Sequence, residues 1–141
     1  MTPMTITEIK QLDPEVFGVI TRLWLDTGIT NPARKDDLES VQYNLDHTGL
    51  ILLAWDGEEA VGTVWLCHDY RRLYIHHMAV SPARQNQGIG RLLLQRSLEI
   101  ATELGYQAKL EVHEENPAAI HLYSSLGFTA LNGYTVMIKR Q

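Results

Sequence analysis

Apolar and polar positions along the 141-residue chain change period along its length, and those changes outline its secondary structure. Residues 5–9 read as a short edge strand. Asp13-Pro14-Glu15 then opens a helix, with Asp as the cap and Pro at the first helical position, where its missing N–H costs nothing. Val16, Ile20 and Leu23 or Trp24 recur at helical spacing, and Gly28 ends the pattern. Asn31-Pro32 repeats the start signal for a second helix carrying Leu38, Val41 and Leu45. At residue 50 the pattern turns to continuous apolar runs at 50–55, 60–67 and 73–80. The Asp56-Gly57 turn and Arg71-Arg72 separate them, which predicts an antiparallel meander.

A polar loop at 81–87 leads into a helix over 89–104, closed by Gly105. Residues 107–113 read as a strand, and Asn116-Pro117 caps a helix through Leu126 that Gly127 stops. Two more strands are expected at 128–130 and 134–139. The order β-α-α-β-β-β-α-β-α-β-β predicts an α/β (α+β) fold. Its sheet is expected to be mixed, largely antiparallel and of six or seven strands, flanked by about four helices. No repeat or linker interrupts residues 1–141, which read as a single domain. The helices at about 13–46 make up one part of it and about 50–141 the rest.

Composition narrows the chemistry. Twelve Lys and Arg against seventeen Asp and Glu give a net charge of −5, which argues against broad contact with nucleic acid and favours cationic substrates. One cysteine, Cys67, excludes an internal disulfide and a cysteine-based zinc site. The longest uncharged apolar stretch, 49–55, is too short to cross a bilayer, and residues 1–10 lack a secretion signal. The expectation is a soluble, cytoplasmic protein.

The most informative segment runs from Val80 through Gln85, Asn86, Gln87, Gly88, Ile89 and Gly90 to Arg91, between a strand and a strong helix. The first amides of a helix lack internal partners, and the helix dipole adds partial positive charge there. Gly88 and Gly90 remove Cβ atoms that would hold a phosphate away, so a diphosphate fits the amides of residues 87–91. A tight turn before a helix would need the same glycines. A dinucleotide fingerprint fails because Leu93 stands where its third glycine belongs, and no Gly-Lys-Ser/Thr follows for a Walker loop.

Taken together, Gln85-x-x-Gly88-x-Gly90, then Asn116-x-x-Ala119-x-x-x-Tyr123 and Gly127-Phe128, resemble the GNAT superfamily of N-acetyltransferases. The resemblance implies acetyl-CoA as cofactor, with its pyrophosphate on the glycine loop and its pantetheine arm along Met78, Ala79 and Val80. It also implies that the strands at 73–80 and 107–113 splay apart to admit the thioester. The Met78 N–H would then stabilise the thioester oxygen, Asn116 and Ala119 would contact the cofactor, and Tyr123 would protonate the departing thiolate. Core packing is the competing explanation for Tyr123, and helix capping the one for Asn116.

Attack by an amine on a thioester needs a base, often acting through water. Strict alternation puts Tyr74, His76, Met78 and Val80 on one face and His77 on the other. With the Met78 N–H facing the thioester, as the resemblance implies, His76 two residues upstream is the candidate base, with an ordinary imidazole value of about 6.5; a packing histidine is the equal alternative. Glu111 on the partner strand is the second candidate. His113 and His121 show no ligand spacing with the His76-His77 pair, so no metal is expected. The acceptor pocket is expected from residues 27–32, the second helix and the side of Tyr74 and His76. A small-molecule primary amine (an amino acid, a polyamine or an arylalkylamine-like compound) is the leading acceptor. Protein N-termini or lysines come next, then a non-catalytic CoA-binding sensor. An RNA-directed transferase would need a basic face, whereas Arg84, Arg91 and Arg96 gather only at the cofactor loop. A C-terminal edge strand would support a homodimer.

Overall fold

The computed structural model describes residues 4–30 and 35–141, which cluster into two compact units, Met1–Glu111 and Val112–Gln141. The first unit is built on a sheet of five strands in sequence order: β1 (Met4–Ile9), β2 (Leu50–Asp56), β3 (Glu59–His68), β4 (Arg72–Val80) and β5 (Gln107–Leu110). β1 to β4 pair antiparallel, and β5 joins β4 in parallel. The mixed, largely antiparallel character is as expected, but the strand count is five rather than six or seven.

Three α-helices cover this sheet: α1 (Pro14–Asp26), α2 (Leu38–Leu45) and α3 (Ile89–Leu104). Asp13 caps α1, its side chain accepting from the Val16 amide at 2.8 Å. For α2 the cap is Asp37, which accepts from the Ser40 amide at 2.8 Å; those hydrogen bonds hold its carboxyl below the ordinary value. Asn31-Pro32, the expected start signal, lies outside the described residues. Leu12, Ile20, Leu23, Trp24, Val41 and Leu45 bury one sheet face against Ile51, Leu53, Trp65 and Ala79. On the opposite face α3 presents buried Ile89, Leu93, Leu94 and Ala101. There a Cβ on Gly62 would stand 2.8 Å from the Ile89 side chain and 3.1 Å from that of Leu93, so glycine lets helix and strand close up.

The second unit holds α4 (Pro117–Ser125), capped by Asn116, whose side chain accepts from the Ala119 amide at 3.2 Å. Residues 128–130 and 134–139 form no strands. A strand exists through its ladder of hydrogen bonds rather than through composition. Here Leu131, Tyr134, Val136, Met137 and Ile138 stay exposed and join no sheet. The C-terminal edge strand expected to support a homodimer is therefore not formed. β5 also ends at Leu110, leaving Glu111 and His113 beyond it and exposed.

Candidate active site

The glycine loop folds much as its sequence suggests. A 3-10 turn over Pro82–Arg84 leads to Asn86 at φ 64° and Gly88 at φ 82°, both left-handed. Gly88 is the N-cap of α3 and brings no side-chain oxygen to its first amides. The first helical hydrogen bond runs from the Leu92 amide to the Gly88 carbonyl at 3.0 Å, so earlier amides have no carbonyl within the helix. Gln85 donates its amide to the Val80 carbonyl at 3.3 Å, tying the loop back to the end of β4. Ile89 turns its side chain into the core and Gln87 accepts from the Arg84 guanidinium at 3.1 Å, while Gly88 stays exposed and Gly90 half-exposed.

Arg84 and Arg96 are both engaged by carboxylates. Arg84 is held by Asp56 in a short ion pair and by Glu59 at 3.1 Å, pinning the loop to the β2–β3 hairpin. Arg96 bridges Glu8, Glu99 and Glu103 at 3.1–3.2 Å. The sequence placed both at cofactor phosphates and gave no sign of these carboxylates, which folding brings to them from other elements.

β4 carries the main departure from simple alternation. Thr63 pairs with Ala79 and Trp65 with His76, so Val64 alone faces both His77 and Met78. One extra residue thus sits in β4, with His77 at φ 51°, and the bulge reverses the facing of everything after it. His76 and His77 consequently lie on the same side: their rings are 5.1 Å apart and 4.6 and 5.0 Å from Trp65. The pairing puts Tyr74, His76 and Ala79 on this face and Met78 and Val80 on the other, correcting the alternation expected from sequence. Pairing between β4 and β5 stops at Ile75–Leu110, so from His76 onward β4 has no β5 partner.

Around the imidazoles the contacts are specific. His77 Nε2 lies 2.8 Å from Asp36 Oδ2, which also accepts from the Thr30 hydroxyl at 2.6 Å. His77 Nδ1 lies 3.0 Å from His76 Nδ1, and His76 Nε2 lies 3.5 Å from Cys67 Sγ. Trp24 stacks on Trp65 at 5.7 Å and meets His77 edge-on at 4.7 Å; the Trp65 indole donates to Asn44 at 2.7 Å. Burial, with the neighbouring His77 second and Asp36 opposing, depresses His76 to about 4, well under the expected imidazole value. Burial likewise pushes the Cys67 thiol up.

In the second unit Tyr123 is half-buried on α4, edge-on to Phe128 at 5.9 Å, and burial raises its phenol. Ala119, Leu122 and Leu126 are half-buried beside it in sequence, as the helical stripe predicted. Among the described residues no group of three or more His, Cys, Asp or Glu side chains is placed to hold a metal, and no helix is long and apolar enough to cross a membrane. The contact between Asp36 and His77 escaped the sequence reading; the His-His pair was the available signal.

Residues 17–128 match the acetyltransferase (GNAT) family profile, and the chain belongs to that family. Over 54 residues it is 46% identical to N-alpha-acetyltransferase RimI of Mycobacterium tuberculosis, covering 38% of this chain and 33% of that one. It is 37% identical over 67 residues to L-methionine sulfoximine/L-methionine sulfone acetyltransferase of Salmonella typhimurium, covering 46% and 39%. The matches thus span about a third of the length of these curated relatives. Among solved structures, AAC(6')-Iy in complex with the bisubstrate analog CoA-S-monomethyl-acetylneamine superposes with a TM-score of 0.80 at 15% identity, covering 99% of this chain and all of that one.

Proposed function

We propose that the protein is a cytoplasmic, acetyl-CoA-dependent N-acetyltransferase acting directly on the primary amine of a small molecule. The observation that carries this reading is the joining of two features on one strand. β4 loses its β5 partner after Ile75, and its end is tied through Gln85 to amides at the start of α3 that lack helical acceptors. An extended thioester arm needs an unpaired strand edge, and its diphosphate needs clustered N–H donors. In this reading the backbone of Met78, Ala79 and Val80 holds the arm. The amides of residues 87–91, with Gln85 and Asn86, hold the diphosphate, and the Met78 N–H faces the developing oxyanion. Asn116 and Ala119 contact the cofactor, Tyr123 returns a proton to the CoA thiolate, and His76 receives the amine's proton, with Glu111 the alternative.

A cationic acceptor is supported by a groove of about 620 Å³ beside α1, lined by Glu15 and Glu58, with Asp26 paired to Arg22 and Glu59 to Arg84. It reaches Ser81, the residue after β4. The likeness to N-alpha-acetyltransferase RimI supports a second reading in which a protein N-terminus is the acceptor. Thiol release from acetyl-CoA across a panel of amino acids, polyamines, arylalkylamines and N-terminal peptides tests both. Turnover concentrated in the small amines is expected. Peptide-only turnover selects the second reading, and CoA binding without release from any amine leaves a sensor.

A further inference from the structure

Resting on His76 as base, we propose that Asp36, His77 and His76 form a proton relay in which His76 accepts the proton of the incoming amine and His77, seated on Asp36, stores it. Asp36 and His77 are then positioning residues for acetyl transfer.

For a pair in which both imidazoles are neutral, hydrogen-bond bookkeeping gives one arrangement. A carboxylate only accepts, so at 2.8 Å from Asp36 the His77 Nε2 carries its hydrogen. A neutral His77 protonated there has a bare Nδ1. Two imidazole nitrogens 3.0 Å apart share one hydrogen between them, so that hydrogen belongs to His76 Nδ1. His76 Nε2 is left with its lone pair, which faces the Cys67 thiol at 3.5 Å. When an amine gives its proton to His76 Nε2, the Nδ1–H bond of His76 breaks and a new N–H bond forms at His77 Nδ1. His76 ends neutral, and the imidazolium is His77 against the Asp36 carboxylate. Nothing is oxidised, and no co-reactant is needed.

The surroundings favour that division. His76 is packed on the Trp65 ring and Cys67, where charge is poorly solvated. His77 has an acid at hydrogen-bond distance and the rings of Trp24 and Trp65 around it. Among the described residues, the groups facing the pair are Asp36 ahead of α2 and Cys67 of β3, with Asp69 acting on that thiol from the β3–β4 turn. α1 contributes Trp24, which is uncharged. His77 pays for its place with a left-handed backbone, a strain that persists where a site uses it.

The relay is tested on the whole protein by two measurements. Nitrogen NMR of the resting imidazoles is expected to show His76 protonated at Nδ1 and His77 at Nε2. The pH profile of kcat/KM, which reports the free enzyme, is expected to respond to Asp36→Asn and His77→Gln. Losing the opposite charge makes the pair a weaker base, so in Asp36→Asn the acid limb moves down by roughly 1–3 pH units. Its plateau falls by about 10²-fold, the lower weight of a general base. Asp36 serving structure alone would lower the plateau with the limb unmoved, and that result overturns the proposal. So does a His76 protonated at Nε2, which is read on the wild type even if a variant fails to fold. An absence of turnover with every amine would refute the functional reading separately, since the tautomers are read without activity.

Discussion

Burial acts on Tyr123 and His76 to the same end, favouring the neutral form of each. In the proposed roles, a phenol pushed up keeps a proton to donate, and an imidazole held near 4 stays vacant to accept one. Replacing Tyr123 by Phe removes the donor while keeping the ring against Phe128. A fall in kcat of about 10²-fold is expected, with CoA affinity within a factor of about two. Full turnover at every pH would remove Tyr123 from the chemistry. His76 also links stability to pH. Its folded value of about 4 lies below the ordinary 6.5, so on acidification the unfolded chain binds the proton first. Its contribution is complete above about 6.5 and is lost on the way down to about 4. Urea unfolding at pH 7 and pH 5 reads this slope, which a His76→Phe variant is expected to flatten.

Elements explain which of these residues sequence could place. The approach of α3 to β3 depends on Gly62, where an added methyl meets Ile89 in the first turn of the helix. Gly62→Ala is expected to cost about 1–3 kcal/mol by overpacking. Because Ile89 directly follows Gly88, the variant is also expected to weaken CoA binding; calorimetry that found affinity unchanged would separate the loop from this packing. The loop and α3 were legible because their signals are local: glycines at a helix start, a helical stripe, and Gly105 in the left-handed conformation at its end. The α1 and α4 caps were legible for the same reason. The β4 bulge was not, since it arises from register against β3, and strict alternation misplaced His77, Met78 and Val80. The strands expected at 128–130 and 134–139 failed similarly, for Val136 and Ile138 have strand-forming shapes but pair with no strand here. Asp36 next to Asp37 was invisible as a partner of His77 because 41 residues separate them in the chain.

At the scale of the whole molecule, the proposed function asks a chain of net charge −5 to bind a polyanion. Its overall field opposes this, and the ion pairs of Arg84 and Arg96 commit those cations to carboxylates. The short-range amide donors and the dipole at the start of α3, which act within a turn of the helix, are the attraction the loop's backbone offers. CoA at one hundred times its Kd is expected to stabilise the fold by about 2.7 kcal/mol, raising Tm by roughly 8 °C for a chain of this size. Tryptophan fluorescence is the suitable probe, because Trp24 and Trp65 are buried in the first unit and report its melting directly. Raising salt across the physiological range should reduce the shift modestly, since hydrogen bonds to amides are screened less than exposed ion pairs. A steep loss with salt would move the attraction to mobile surface cations. No shift at saturating CoA would remove the anion-binding role of the loop, and with it the base and acid roles built on that role.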